Sequence, residues 1–410
     1  MTQPYHQLID IGRSCSAISN LGSTWAQCWD GLLEGRRPFI YGSDVIAEWP
    51  DTPPVAAILN FHHSTGQPPF SARFTELTRC VARDLRETVN ALLSSSGDLQ
   101  ISVLIASSGG DPGPLSALVD AAFRRAGPSE PVTADVLYAM LGAGWSQIVQ
   151  ESLGHRLPVS CIFGACASSL VAASCASDKI NAGLADAVIV IAIDTLARMA
   201  SVGFLGVGAN SARGATPYDK TRDGTTVGEG AIGIVLARHG VLPTEQVIGH
   251  IAGTSVYCDA EHLVEPNPNG VAKVASDALA QAQISPQQIT GIYWHGTGTK
   301  QNDKTEALVS SLVFGELSPP CTSTKGALGH TMGASGGFNI LAACSTLETG
   351  LMPPVAGTQR PEYDNLDLVL GAPREVESGP ILITALGFGG INAATVIVPT
   401  LQKASRCFKN

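Results

Sequence analysis

Three residues of this 410-residue chain stand in settings suited to chemistry at a thioester carbonyl. Cys166 lies inside Gly-Ala-Cys-Ala-Ser-Ser, positions 164 to 169, between an apolar run and a helix-forming stretch. His295 opens the segment His-Gly-Thr-Gly-Thr, and His330 follows Lys325-Gly-Ala-Leu-Gly and precedes Thr-Met-Gly-Ala. A cysteine is nucleophilic as its thiolate, and the positive end of a helix favours that form. Two imidazoles aimed at one carbonyl oxygen polarise it and stabilise an enolate. Small neighbours leave room for an acyl group to approach. Most free cysteines are simply buried small residues. Cys161 and Cys175, which lack these surroundings, are read that way.

The elements that must position these groups are legible in part. Apolar residues 159–163 lead into a sharp turn at Gly164-Ala165-Cys166. Residues 167–180 then favour a helix, with Gly183 as its stop signal. This is the strand–turn–helix elbow that presents nucleophiles elsewhere. Buried strands are expected over 101–106, 187–193, 230–237, 291–294 and 381–386. Phe74, Leu77, Val81, Leu85, Val89 and Leu92 keep one apolar face, which predicts a helix ahead of Ser94. Alternating strands and helices imply a layered α/β architecture. Leu242-Pro243 is a natural junction between halves, and no sequence repeat is evident across it.

Hydrophobic residues make up 44% and charged residues 15%, which suits a large buried core and argues against disorder. A net charge of −10 with no basic block excludes nucleic acid as the expected partner and is read as serving solubility. Ten cysteines without paired spacing fit a reduced compartment. The apolar runs are too short to span a bilayer, and no secretory signal is visible, so the expected location is cytoplasmic. His62-His63 has no partner at ligand spacing, and no metal is expected.

These motifs, in this order, resemble the beta-ketoacyl-acyl-carrier-protein synthases (ketosynthases) of the thiolase superfamily. The likeness runs from about Ile11 to Val398. It includes Pro217-Tyr-Asp-Lys-Thr-Arg222-Asp-Gly224 leading to Gly228-Glu229-Gly230, and Asp303 and Glu306 after His295. Gly387-Phe388-Gly389-Gly390 completes the set. The resemblance implies a thiolase-like fold of two similar halves stacked as five αβαβα layers. Residues 1–240 would carry the nucleophile and 241–410 the histidines. It implies that Cys166 holds the acyl chain while His295 and His330 act on the malonyl carbonyl, His295 also handling a proton. Lys325, Asp303 and Glu306 would form an ion-pair network that orients the histidines. Backbone N–H groups of Cys166 and Phe388 would make the oxyanion hole, with the Phe388 ring as a gate. Glu229 is read as structural.

The implied reaction is decarboxylative Claisen condensation with malonyl-ACP, giving beta-ketoacyl-ACP. The alternatives are a chain-length-factor-like partner subunit, which usually lacks the nucleophile, and a thiolase, which uses a second cysteine and one histidine. The only cofactor implied is the phosphopantetheine arm of an acyl carrier protein. The partners implied are that carrier and a second subunit, as homodimer or as heterodimer with a ketosynthase-like chain. Thr384-Ala385-Leu386, Thr225-Thr226 and the segment Ser107 to Pro112 depart from the usual family pattern. They favour a polyketide or aryl-polyene type of enzyme over housekeeping fatty acid synthesis. Residues 136–140 are expected near the acyl pocket. Arg79, Arg83 and Arg86, at i, i+4 and i+7, or Arg124-Arg125, would receive the acidic carrier.

Overall fold

Runs of aliphatic residues buried on both faces build the centre of the molecule. Ala187–Asp194, for example, is buried at every position, as strands covered on both sides require. A computed structural model describes residues 8–41, 53–58, 70–95, 98–111, 143–196 and 198–400. Its main sheet has ten strands: β1 (Ile9–Ser19), β2 (Ile101–Ala106), β3 (Val159–Ile162), β4 (Ala187–Asp194), β5 (Gly230–Arg238), β6 (Val247–Cys258), β7 (Gly291–Tyr293), β8 (Cys321–Thr322), β9 (Ile381–Gly387) and β10 (Ile391–Val398).

From the centre outward, one side runs β1-β5-β4-β2-β3 and the other β6-β10-β9-β7-β8. The two halves therefore share one order: first, fifth, fourth, second, third. In each, the second strand runs parallel to the third and fourth. The remaining pairs are antiparallel, including β1 with β6 at the seam. Leu242-Pro243 lies in the connection from β5 to β6.

Helices complete five layers, the αβαβα thiolase-like architecture. On one outer face, Phe74, Leu77, Val81, Leu85, Trp145 and Val149 pack on Val103, Ile189 and Val235. On the other, Val271, Val274, Ala278 and Val309 pack on Ile292, Leu382 and Val396. Between the half-sheets lie the helices Ser168–Asn181 and Ser335–Thr349. A helix pressed by sheet on both sides cannot be amphipathic in the usual sense. Accordingly these two are rich in Ala, Ser and Gly. A Cβ on Gly336 would come within 2.6 Å of Leu170.

The expected strands coincide with β2, β4, β5, β7 and β9 to within a residue at their ends. The continuous helix expected through Leu92 is two helices, Phe70–Asp84 and Arg86–Ser95, and the apolar face carries across the break at Leu85. His62-His63, Arg124-Arg125 and 136–140 lie outside the described residues. No helix among the described residues is long and apolar enough to cross a membrane.

Candidate active site

Strand ends deliver the site. β3 runs into the 3-10 turn Ala165–Ala167, and the helix Ser168–Asn181 follows directly. Ala165 has φ 47°, a left-handed conformation that a non-glycine residue holds only when its surroundings enforce it. Ser168 supplies part of that enforcement: its Oγ accepts from the Gly164 amide at 2.9 Å and lies 2.6 Å from the Ala165 carbonyl. Cys166, in the middle of the turn, is 5% exposed.

Phe388 sits in the tight connection between β9 and β10. Gly387 lets this loop press onto the Cys166 turn; a Cβ there would come within 3.0 Å of the Gly164 carbonyl oxygen. The backbone N–H groups of Phe388 and of Cys166 itself face the Cys166 sulfur and oppose the rise in its pKa. Two amides thus converge on that atom. The Phe388 ring stacks on Phe204 with centroids 5.3 Å apart, and Phe204 meets His330 edge-on at 5.9 Å.

His295 follows β7, and His330 follows the short helix Lys325–Leu328. Their rings stand edge to face with centroids 5.2 Å apart. Lys325 Nζ lies 3.2 Å from His295 Nδ1 and also donates to the His295 carbonyl. An ammonium can only donate, so Nδ1 accepts and the proton of neutral His295 sits on Nε2. His330 Nδ1 meets the Ser335 hydroxyl at 3.1 Å. The His330 amide donates to Thr226 O at 2.6 Å, which fixes the backbone of that loop. Cys166, His295, His330, Phe204 and Phe388 line one cleft of about 690 Å³.

Glu306 accepts from the amides of His295 and Gly296 at 2.7 and 2.8 Å, from Tyr218 OH at 2.8 Å and from Asn302 at 2.8 Å. Asp303 accepts from the Tyr218 and Gly298 amides at 2.6 and 3.1 Å and pairs with Arg222 at 3.3 Å. The carboxylates therefore hold the His295 loop by its backbone. Among the described residues neither forms a direct ion pair with Lys325; Arg222 takes that place beside Asp303.

Burial sets the charges here. It draws both histidines well below the ordinary imidazole range, assisted by the Lys325 charge. It draws Lys325 down and pushes Glu306 up, while their mutual attraction opposes both shifts. Burial also pushes the Cys166 thiol up to about 12, against the Lys325 charge and the two amides, with Asp194 adding to the rise. Burial thus works against the thiolate expected from a helix terminus, and desolvation favours the thiol and the neutral imidazoles.

Sequence reading missed Asp194. Fully buried at the end of β4, it accepts from Ser107 Oγ at 2.8 Å, Ser108 N at 2.9 Å and Gly333 N at 2.6 Å. A carboxylate closing an otherwise apolar run was the available signal. Asn302 and Ser335 carried no signal of their own, and Tyr218 was visible only as part of the segment 217–224. Glu229 is fully buried and paired with Arg73, as a structural residue would be. Arg79 pairs with Glu76, and Arg86 begins a separate helix with its guanidinium packed over Gly154. The three arginines thus stand on two helices, Arg79 and Arg83 on the first and Arg86 on the second.

Residues 75–240 match the family model described as the N-terminal domain of beta-ketoacyl synthase, and 248–359 its C-terminal domain. Nodulation protein E of Rhizobium meliloti is 30% identical over 251 residues, 60% of this chain and 63% of that protein. The chain thus spans about three-fifths of the length of that relative. The 3-oxoacyl-[acyl-carrier-protein] synthase 2 of Synechocystis sp. is 27% identical over 403 residues, 92% of this chain and 94% of that one. Among solved structures, a chain of the complex of the ketosynthase ApeO with its chain length factor ApeC, from Xenorhabdus doucetiae, superposes with TM-score 0.80 at 26% identity, covering 96% of this chain and 98% of that chain.

Proposed function

Because the chain belongs to the beta-ketoacyl synthase family, we propose that it elongates a carrier-bound acyl chain by decarboxylative condensation, with Cys166 as the nucleophile. One observation carries this reading: a buried thiol with two amides on its sulfur shares a cleft with two imidazoles held neutral. In the first half-reaction the Cys166 sulfur attacks the acyl thioester. The carbonyl oxygen gathers charge between the Cys166 and Phe388 amides, and the pantetheine thiolate leaves with the proton that the thiol gave up.

In the second, Nε2–H groups of His295 and His330 donate to the malonyl thioester carbonyl. Carbon dioxide leaves, and the electron pair of its bond is held as an enolate. The enolate carbon attacks the Cys166 thioester, and collapse of the tetrahedral adduct expels the Cys166 thiolate and frees the beta-ketoacyl product. Neutral imidazoles suit this work, since each needs a proton to donate. Lys325 fixes the His295 tautomer, and Asp303 and Glu306 hold its loop. The substrate arrives on the phosphopantetheine arm of an acyl carrier protein. A second subunit, a copy of this chain or a chain-length-factor-like partner, completes a dimer. The complete set of Cys166, His295 and His330 favours a condensing subunit over a non-catalytic one, and the second histidine favours it over a thiolase.

The test is intact-mass measurement after incubation with acyl-ACPs of varied chain length. Wild type and Cys161→Ala are expected to gain one acyl group, and Cys166→Ala none. An adduct on Cys166→Ala that maps to Cys161 would overturn the assignment. The chain lengths accepted also distinguish fatty acid from polyketide-type elongation.

A further inference from the structure

Far from the cleft in sequence, the seam between the half-sheets brings together three side chains that ligate metals. β1 lies between β5 and β6, and Asp10 is the register partner of Ala237 on β5 and of His250 on β6. Directly opposed residues of antiparallel strands project to the same face. His239 begins the turn just past the end of β5, two residues after Ala237, and its ring reaches Asp10 as well. The strand register and this turn thus converge Asp10, His239 and His250.

The side chains meet closely. His239 Nδ1 and His250 Nδ1 each lie 2.8 Å from the same oxygen, Asp10 Oδ1. Asp10 Oδ2 accepts from the Gly240 amide at 3.1 Å. The two rings stand edge to face with centroids 5.6 Å apart. One ligand atom from each residue lies within 4.8 Å of the others. Asp10 and His250 are buried, whereas the His239 side chain is 43% exposed.

We propose that Asp10, His239 and His250 bind a divalent first-row transition cation, zinc above all. Two imidazole nitrogens and a carboxylate oxygen are a borderline donor set of the kind zinc takes, and water can occupy the fourth position. In a tetrahedral site with bonds of roughly 2.0–2.1 Å, neighbouring donor atoms stand about 3.3 Å apart. The present nitrogen–oxygen separations need to open by only about half an ångström to reach that spacing. Without the ion, both histidines donate from Nδ1. Transfer of each proton to Nε2 exposes the Nδ1 lone pairs at no change in charge, and the exposed ring gives the ion its path. The ion would bridge the exit of β5, β1 and β6, and so clamp the two halves together at their seam.

The test is zinc titration of the chelator-stripped full chain by calorimetry, with cobalt as the spectroscopic probe. One equivalent is expected to bind and to raise the melting temperature, since the ion binds the folded state. Cobalt should give ligand-field bands without thiolate charge transfer, because no cysteine belongs to the site. His239→Ala and Asp10→Asn should each weaken zinc binding at least tenfold, as even loss of an outer hydrogen-bond partner costs about that much. Metal-free His239→Ala should melt close to metal-free wild type, because its ring is at the surface. The proposal is overturned if wild type shows no saturable binding, if His239→Ala binds as well as wild type, or if cobalt reports a thiolate ligand.

Discussion

The turn that carries Cys166 and its counterpart in the other half are built alike and furnished differently. Ala165–Ala167 and Met332–Ala334 are both 3-10 turns, opened by left-handed residues with φ 47° and 46°. Each feeds a middle-layer helix that begins with serine, Ser168 or Ser335. Each lies beyond the third strand of its half, β3 or β8. The central residue differs. Cys166 offers its sulfur to the cleft, whereas Gly333 offers only an amide, which donates to Asp194 at 2.6 Å. In the second half the chemistry moves three residues back, to His330. The serines diverge too: Ser168 steadies the turn's own backbone, and Ser335 holds His330 Nδ1. The backbone device is indifferent to the chemistry, and the side chain at its apex decides which half can offer a thiol to the cleft.

If the halves divide the work in this way, His330→Ala should separate the two half-reactions. Malonyl decarboxylation should fall roughly 10²- to 10³-fold, the usual cost of one oxyanion donor. Acyl transfer to Cys166 should keep most of its rate, because the Cys166 and Phe388 amides remain. Single-turnover assays of each step read the split directly. Equal loss in both would make His330 a shared base and erase the division.

The apex residues offer a second way to break the comparison. A Cβ at position 333 would lie 2.7 Å from both Asp194 Oδ2 and Ser108 N. Gly333→Ala must displace that anchor and is expected to cost about 1–3 kcal/mol of folding stability, as overpacking does. Cys166→Ala removes one sulfur without a clash and should cost less while abolishing condensation. Urea denaturation of both variants settles the order. The reverse ranking would mean that the nucleophile turn is the more tightly packed of the two.

This symmetry was not visible in the sequence, and the reason is physical. Ala165 and Met332 share a left-handed backbone conformation but no side-chain chemistry, and Cys166 is answered by Gly333, so no repeat shows. Strands buried on both faces, such as β2 and β4, announce themselves as unbroken aliphatic runs. β1 and β6 do not. Each mixes polar residues such as Asp10, Ser16, His250 and Thr254 into buried positions, because the seam satisfies them with partners distant in sequence. The chemistry-bearing residues were legible because glycine-rich surroundings mark them. Their anchors were less so: Asp194 reaches Gly333 across 139 positions, a contact only the fold creates.

The smallest effect is a difference in sign with pH. The Cys166 thiol, raised by burial to about 12, is a poor nucleophile until its proton is removed, so acyl transfer should quicken as pH rises from 7 to 9. Lys325 is lowered by burial to about 8, and only while charged is it restricted to donating to His295 Nδ1. A group with that value is mostly charged at pH 7 and mostly neutral at pH 9. Decarboxylation should therefore drop about tenfold over the same interval, as a single deprotonation with its midpoint between the two pH values requires. Lys325→Met should abolish this fall and leave a slow, flat decarboxylation. It should also slow acyl transfer, because the Lys325 charge is what opposes the rise in the Cys166 thiol. Stopped-time measurements of acyl-enzyme formation and of carbon dioxide release, made separately, distinguish the slopes. If both steps rise together in wild type, Lys325 does not govern His295, and its buried charge serves the thiol alone.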